Sequence, residues 1–498
     1  MGVGNAWRQE ARQIGLELAA LRGSVARHGK ATFHRWRPRI ARTDFALSAY
    51  NFAHYLAFRR HDLAALQRRL MVLGLSSLGR SESRVLASLD AVGAALAAMA
   101  GDAAPAPAHM PSQRQFFRGE SRLQANTEAL FGAPAEGRSG HILVTLGTDA
   151  ADDPAVIGQM AERGADAVRI NCAHDDPDRW LKMIANVRAA ETRTGQRMRI
   201  LMDIAGPKVR TADVASPPDR SRLHIGDDII LCRAPGTGAD GSAFRTGCTL
   251  PQVFDRLKVG DHVSIDDGKM RGKIVQQTDD GFVARIDEGQ IKGIKLKPEK
   301  GLNFPGVDLD IDSLTTQDKS DLDFIVQHAD MIGYSFVETA DDVAMLQDEI
   351  AARRADWQHL GIVAKIETPR AVRNLPEIIV QAAGRQPLAV MIARGDLSVE
   401  LGFERVAEMQ EEILWLCEAA HVPAIWATQV LEGLVSKGLA TRGEMTDAAM
   451  AARAECVMLN KGPNIGAGIA ALDRLLRRMG EHQAKKTPTL RALRSWAD

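Results

Sequence analysis

Cysteine is scarce and unpaired here: five in 498 residues (Cys172, Cys232, Cys248, Cys417, Cys456), an odd number with no Cys-x-x-Cys spacing. That argues against a disulfide framework or a structural zinc and fits a reducing compartment. Net charge is lacking too, since Lys plus Arg and Asp plus Glu each number 63, so overall charge gives no sign of a nucleic-acid partner. The most apolar N-terminal segment, AVGAALAAMA at 91–100, is too short to span a bilayer and too far from the start for a secretory signal. The Ser or Thr expected at the sixth position of a myristoylation motif is missing after Gly2. These absences predict a soluble, cytoplasmic protein that engages neither membrane nor nucleic acid.

What is present is unevenly spread. Residues 1–100 hold 15 Lys or Arg against 6 Asp or Glu, so a basic unit precedes a mildly acidic body. Segments such as HDLAALQRRLMVLGL (61–75) and SRVLASLDAVGAAL (83–96) space apolar residues by three and four, which predicts amphipathic helices. At GDAAPAPAHMPSQ (101–113) alternating Pro and Ala cannot continue a helix and predict a stiff linker.

From residue 141 the pattern changes to eight short Val/Ile/Leu-rich runs, separated by helix-length amphipathic segments: HILVTLG, DAVRINC, RILMDIAG, ADMIGYSFV, GIVAKIE, PLAVMIARGD, PAIWATQ and ECVMLNKG. Repeated βα units of this number predict a (β/α)8 TIM barrel, whose active sites lie at the carboxyl ends of the strands. The third and fourth runs stand too far apart for one helix. Between them RLHIGDDIILCRAPG and RLKVGDHVSIDDGKMRGKIV carry β-type punctuation, which predicts an inserted small β-barrel domain. The expected division is a helical region 1–100, a linker 101–137, a barrel 138–212 and 300–482, an inserted lid 213–299 and a tail 483–498. Inside the insertion GTGADG (236–241) matches the dinucleotide fingerprint formally. No helix pattern follows it, so it reads as a hairpin loop.

The strand ends carry the chemistry. Run two ends in Arg169, Asn171 and His174, run three in Asp203 and Lys208 with Arg210 beyond, run five in Lys365 and Glu367, run six in Gly395 and Asp396, and run seven in Thr428. Each charge alone reads as solvated, and Lys461 of run eight is left so. Lys365 and Glu367, however, alternate onto the same side of their strand, and charges facing a barrel mouth are costly to desolvate unless paired or given a ligand. Glu367 and Asp396 end adjacent strands, and two oxygen ligands suit Mg2+ or Mn2+ better than zinc, for which His-rich spacing is absent. Arg169, Lys208, Arg210 and Lys365 supply the positive charge that phosphoryl transfer requires.

The motifs VRINCAH, LMDIAGPKVRT, KGLNFPGVDLD, IVAKIETP, VMIARGDLSVE and IWATQVLEGLVSKGLATRGEMTDAAMA resemble, in order, the barrel motifs of the pyruvate kinase family, over roughly residues 138–480. The resemblance implies transfer from phosphoenolpyruvate to ADP with a divalent ion held by Glu367 and Asp396. It implies further that Lys365 stabilises the transfer, that Thr428 lies by the face where the enolate is protonated, and that the Gly395 and Asp396 backbone meets the substrate carboxylate. Arg169 would contact the phosphate, and His174 and Arg210 would face the nucleotide.

The departures bear on function. Where many family members bind a monovalent cation through Asn, Ser, Asp and Thr, this chain has Asn171, Ala173, Asp203 and Ile204. Lys208 stands where potassium-independent members carry Lys, so K+ is expected not to be required, with the Lys208 ammonium in place of the ion. TLGTDA and LNKGPNIG differ from the family's nucleotide-side motifs, and Ser398 replaces a glycine. After Gly462 the family's C-terminal domain is expected to be missing, and with it sugar-phosphate activation. The N-terminal helices are expected to cap the barrel or contribute to a homo-oligomer, with binding of a partner as a further option. Two other functions stay open: a nucleotide-independent metal-enolate lyase or decarboxylase acting on a pyruvate-like acid, and a non-catalytic regulatory homologue. The intact Lys365, Glu367, Asp396, Arg169 and Thr428 speak against the latter.

Overall fold

A computed structural model describes residues 3–101, 109–233, 243–485 and 487–488. The eight apolar runs are the eight strands of one closed parallel barrel: β1 His141–Thr145, β2 Ala167–Asn171, β3 Arg199–Asp203, β4 Met331–Tyr334, β5 Gly361–Ile366, β6 Leu388–Ala393, β7 Ala424–Ala427 and β8 Cys456–Leu459. β1 closes the ring by pairing with both β2 and β8. Several intervening helices start where the sequence supplies a cap. Asp176 accepts from the Arg179 N–H ahead of Pro177, Thr368 accepts from the Ala371 N–H ahead of Pro369, and Thr339 with Asp342 forms a capping box. Each such cap stabilises its helix by about 1 kcal/mol.

The barrel interior is a core of its own, made of Leu143, Ala167, Leu201, Met331, Val363, Ala389, Met391, Ile425, Ala427, Cys456 and Met458, closed at one end by Leu130 and Phe131. Side chains alternate along a strand, so this list fixes what the mouth contains. Continuing the same parity reaches Thr145, Arg169 and Asn171, Asp203, Ser335, Lys365 and Glu367, and Asn460.

The inserted domain is a seven-stranded sheet around a separate apolar core that includes Ile229, Phe244, Phe254, Ile265 and Phe282. It runs from Thr211–Ala215 to Leu302–Asn303, slightly wider at each end than 213–299. GTGADG lies outside the described residues. The element that resumes after it is the strand Phe244–Cys248, where a dinucleotide site would need a helix.

The N-terminal region is helical: α1 Val3–Trp36, α2 Thr43–Phe58, α3 Ala64–Val72 and α4 Val85–Ala100. The 91–100 segment belongs to a longer apolar helical stretch, Glu82–Ala100, which by length and composition alone is sufficient to cross a membrane; 39% of an 18-residue window within it is buried inside the protein. The stretch assigned to a linker holds two further helices, α5 Gln113–Phe116 and α6 Arg118–Phe131. The apolar end of α6 supplies the Leu130 and Phe131 that plug the barrel.

These helices cap the barrel. Trp36 Nε1 and Arg39 bond Glu377 at 2.8 and 2.6 Å, and the Ala41 and Arg42 N–H groups donate to Gly384 O. Asn51 donates to Ala419 O, and His421 sits buried between Ser48 Oγ and Ser83 O.

Candidate active site

Lys365 is almost wholly buried and its ammonium is surrounded. It lies 3.0 Å from Glu367 Oε1 and 3.5 Å from Asp203 Oδ2, and it donates to Ser335 Oγ at 2.7 Å. Burial pulls an ammonium toward neutrality, but Glu367 and Asp203 outweigh it and raise the Lys365 pKa above its ordinary value. Arg169 Nε bonds the same Asp203 oxygen at 2.7 Å and reaches Thr145 Oγ1 at 3.3 Å. Asp203 has no solvent exposure. Burial alone would raise its carboxyl; Arg169 and Lys365 together hold it below the usual range.

Room for that carboxylate comes from Gly333, the register partner of Asp203 on β4. A Cβ on Gly333 would stand 1.8 Å from Asp203 Oδ1.

Glu367 is buried and accepts the Phe336 N–H at 2.7 Å, with Phe336 in a left-handed conformation at φ 55°. Its carboxyl is pushed up by burial; Lys365 opposes this and Asp396 adds to it. Asp396 opens the helix Arg394–Leu401 that follows β6 and bonds the Lys208 ammonium at 2.7 Å. Against the effect of burial, Lys208 holds it low. Two carboxylates just past the ends of adjacent strands, with Asp396 close enough to raise Glu367, form a hard-oxygen donor set that suits Mg2+ or Mn2+. Among the described residues no group of three or more His, Cys, Asp or Glu gathers as a metal cage, so this pair would need ligand oxygens from substrate or water to complete a shell.

The Gly395 N–H donates to Thr428 Oγ1 at 2.8 Å. Thr428, Gln429 and Leu431 all adopt left-handed backbone, at φ 66°, 57° and 50°. Such non-glycine strain persists only where the surroundings enforce it, and it gathers at functional sites. Arg394 enforces it here, bonding Thr428 O at 2.6 Å, Ala427 O at 3.0 Å and Asp447 at 2.5 and 2.9 Å. Its guanidinium is therefore spent on holding the corner.

A recess of ≈ 330 Å³ adjoins Arg169 and is lined by Asn171, His174, Asp175, Glu432, Asn460 and Lys461 among others. His174 is held below its ordinary pKa by burial first, then by Lys461 and Arg210. Arg210 stands at the lid's first strand, donating to Glu299 O at 3.2 Å.

Lys208 is not brought to Asn171 and Asp203. The charge of Asp203 is met by Arg169 and Lys365, while the Asn171 side chain accepts from the Ala173 N–H at 3.3 Å. The sequence reading passed over Ser335, whose hydroxyl accepts from Lys365 and donates to Ile204 O at 2.7 Å. The signal was available, because Ser335 lies near the end of the fourth run at the same parity as Lys365.

The family model for the pyruvate kinase barrel domain matches residues 137–467. This chain belongs to the pyruvate kinase family. A pyruvate kinase of Agrobacterium vitis is 31% identical over 353 residues, covering 70% of each protein. One from Geobacillus stearothermophilus is 32% identical over 315 residues, 63% of this chain and 51% of that relative. The chain thus spans between about half and 70% of the length of such relatives. In fold it is similar to a crystal structure of a pyruvate kinase from Cryptosporidium parvum, with a TM-score of 0.60 and 23% identity over 71% of this chain and 72% of the other. The family generally uses a divalent metal.

Proposed function

We propose that this chain transfers the phosphoryl group of phosphoenolpyruvate to ADP, giving pyruvate and ATP, and does so without potassium. The observation that carries this reading is the buried Lys365 ammonium, fixed by Glu367, Asp203 and Ser335 beside Arg169 at the barrel mouth. A charge held in place in a poorly solvated site stabilises a transferring phosphoryl group without reorganising as the reaction proceeds. Arg169, oriented through Asp203 and Thr145, would bring its guanidinium to the same group.

Glu367 and Asp396 would hold Mg2+ or Mn2+, which when bound neutralises the charge that develops on the enolate oxygen. The Asp396 N–H near the start of its helix would orient the substrate carboxylate, beside the Gly395 N–H that fixes the Thr428 hydroxyl. The Thr428 hydroxyl, or a water it holds, delivers the proton to the enolate carbon. His174 and Arg210 border the side from which a nucleotide would enter. Potassium independence is supported by Asp203, which already has two cationic partners, and by Ala173 and Ile204, which bring no side-chain oxygen.

The test is pyruvate formation from phosphoenolpyruvate and ADP with Mg2+, in potassium-free buffer and again with potassium. Equal rates are expected. A rate seen only with potassium would overturn the independence and keep the transfer. Consumption of phosphoenolpyruvate without ADP would point to lyase chemistry, and no turnover at all would overturn the reading.

A further inference from the structure

Lys208 lies on the segment that leaves the barrel for the lid. Upstream the chain is anchored at Gly206, whose N–H donates to Asp318 Oδ1 at 3.1 Å. Gly206 adopts φ 69°, and a Cβ there would press on Ser335 and Phe336 at 3.0 Å. Downstream the lid begins at Thr211. Between these fixed points the Lys208 ammonium bridges two carboxylates on different bodies: Asp396 of the barrel at 2.7 Å and Asp267 of the lid at 3.5 Å.

Asp267 belongs to the turn Asp266–Asp267, in which both residues are left-handed at φ 55°. Asp266 is paired with Lys269 and Lys300, whereas Lys208 is the one ion-pair partner found for Asp267 among the described residues. One ammonium therefore has two homes, one of which is the carboxylate proposed to hold the divalent ion.

We infer that Lys208 is a positioning residue that competes with the divalent cation for Asp396 and, when displaced, moves to Asp267 of the lid. A cation and an ammonium cannot share one carboxylate oxygen without repulsion, so occupation by the ion favours the Asp267 partner. Because Asp267 rides on the lid, arrival of the ion changes what ties the lid to the barrel. The inference rests on the proposed metal role of Asp396, and the experiment separates the two.

The experiment is a titration of the full-length, substrate-free protein with Mn2+, reading free Mn2+ by electron paramagnetic resonance. Lys208→Met is expected to bind Mn2+ on the order of tenfold more tightly than the native chain, because the competitor is gone. Asp267→Asn, which takes away the alternative partner and leaves the ammonium on Asp396, is expected to bind severalfold more weakly. A merely structural role for Lys208 would not produce these opposite signs. Lys208→Gln serves the same purpose if the Met variant does not fold.

Asp396→Asn is expected to abolish binding. Should Asp396→Asn bind like the native chain, the metal reading itself fails. Should Asp396→Asn lose the ion while neither Lys208 variant binds it more tightly, the metal reading stands and the competition is overturned.

Discussion

Charge balance at single residues decides what the mouth of the barrel can do. Asp203 serves both Arg169 and Lys365 through one oxygen, so the two cations are held at a common height above the apolar barrel core. Removing the ammonium leaves Glu367 buried with Asp396 as its neighbour and without its cation. Lys365→Met is accordingly expected to lower kcat by on the order of 10²–10³-fold, the usual cost of losing one fixed donor to a developing charge. Steady-state kinetics on a variant shown by circular dichroism to be folded is the check, and a kcat within threefold of native would place the catalytic charge elsewhere. That Lys365 and Glu367 share a face was readable from strand parity. That Arg394 would turn away to hold the Thr428 corner was not, because its partner Asp447 lies 53 residues on and only the folded chain brings it near.

At the scale of elements, the helix Arg394–Leu401 joins the candidate site to the base of the lid. It begins at the Arg394–Asp396 motif and reaches Glu400, which accepts a hydrogen bond from Asn303 Nδ2 at 3.1 Å on the lid's last strand. Burial pushes the Glu400 carboxyl up to about 7; the Asn303 amide opposes this, while Asp396 and Glu338 add to it. In the unfolded chain it returns to about 4.3. The folded state thus keeps a proton that the unfolded chain has released, so stability falls as pH rises from about 4 to 7, and above that range the full cost is present. Glu400→Gln keeps the acceptor for Asn303 and removes the titration. It is expected to exceed the native protein in stability by on the order of 1–3 kcal/mol at pH 8 and by little at pH 5. Urea midpoints at the two pH values test this, and a gain of equal size at both would rule out the protonation account.

Across the whole molecule, the N-terminal helices are built into the barrel. Their excess of positive charge is partly spent inward, on the Arg39–Glu377 pair and on Arg59, whose guanidinium lies 4.8 Å from the Trp415 ring. At the end opposite the candidate active site, the Phe131 ring lies 5.3 Å from His141 and seals the barrel with Leu130. Phe131→Ala would open a cavity at the end of the barrel core, at a cost of about 3–5 kcal/mol. Denaturant unfolding checks this. A loss under 1 kcal/mol would mean that the helical region and the barrel fold independently.

The eight strands, whose number implies a closed barrel, the place of the insertion and the shared face of Lys365 and Glu367 were legible in the sequence. These follow from local periodicity, which a chain carries wherever it goes. Three things came from the folded chain: that α6 plugs the barrel, that Gly333 makes room for the Asp203 carboxylate, and that Lys208 rests on Asp396 instead of beside Asn171 and Asp203. The reason is physical. Pairing between groups far apart in sequence depends on which carboxylate the folded backbone places within reach of an ammonium, and spacing along the chain carries no record of that distance.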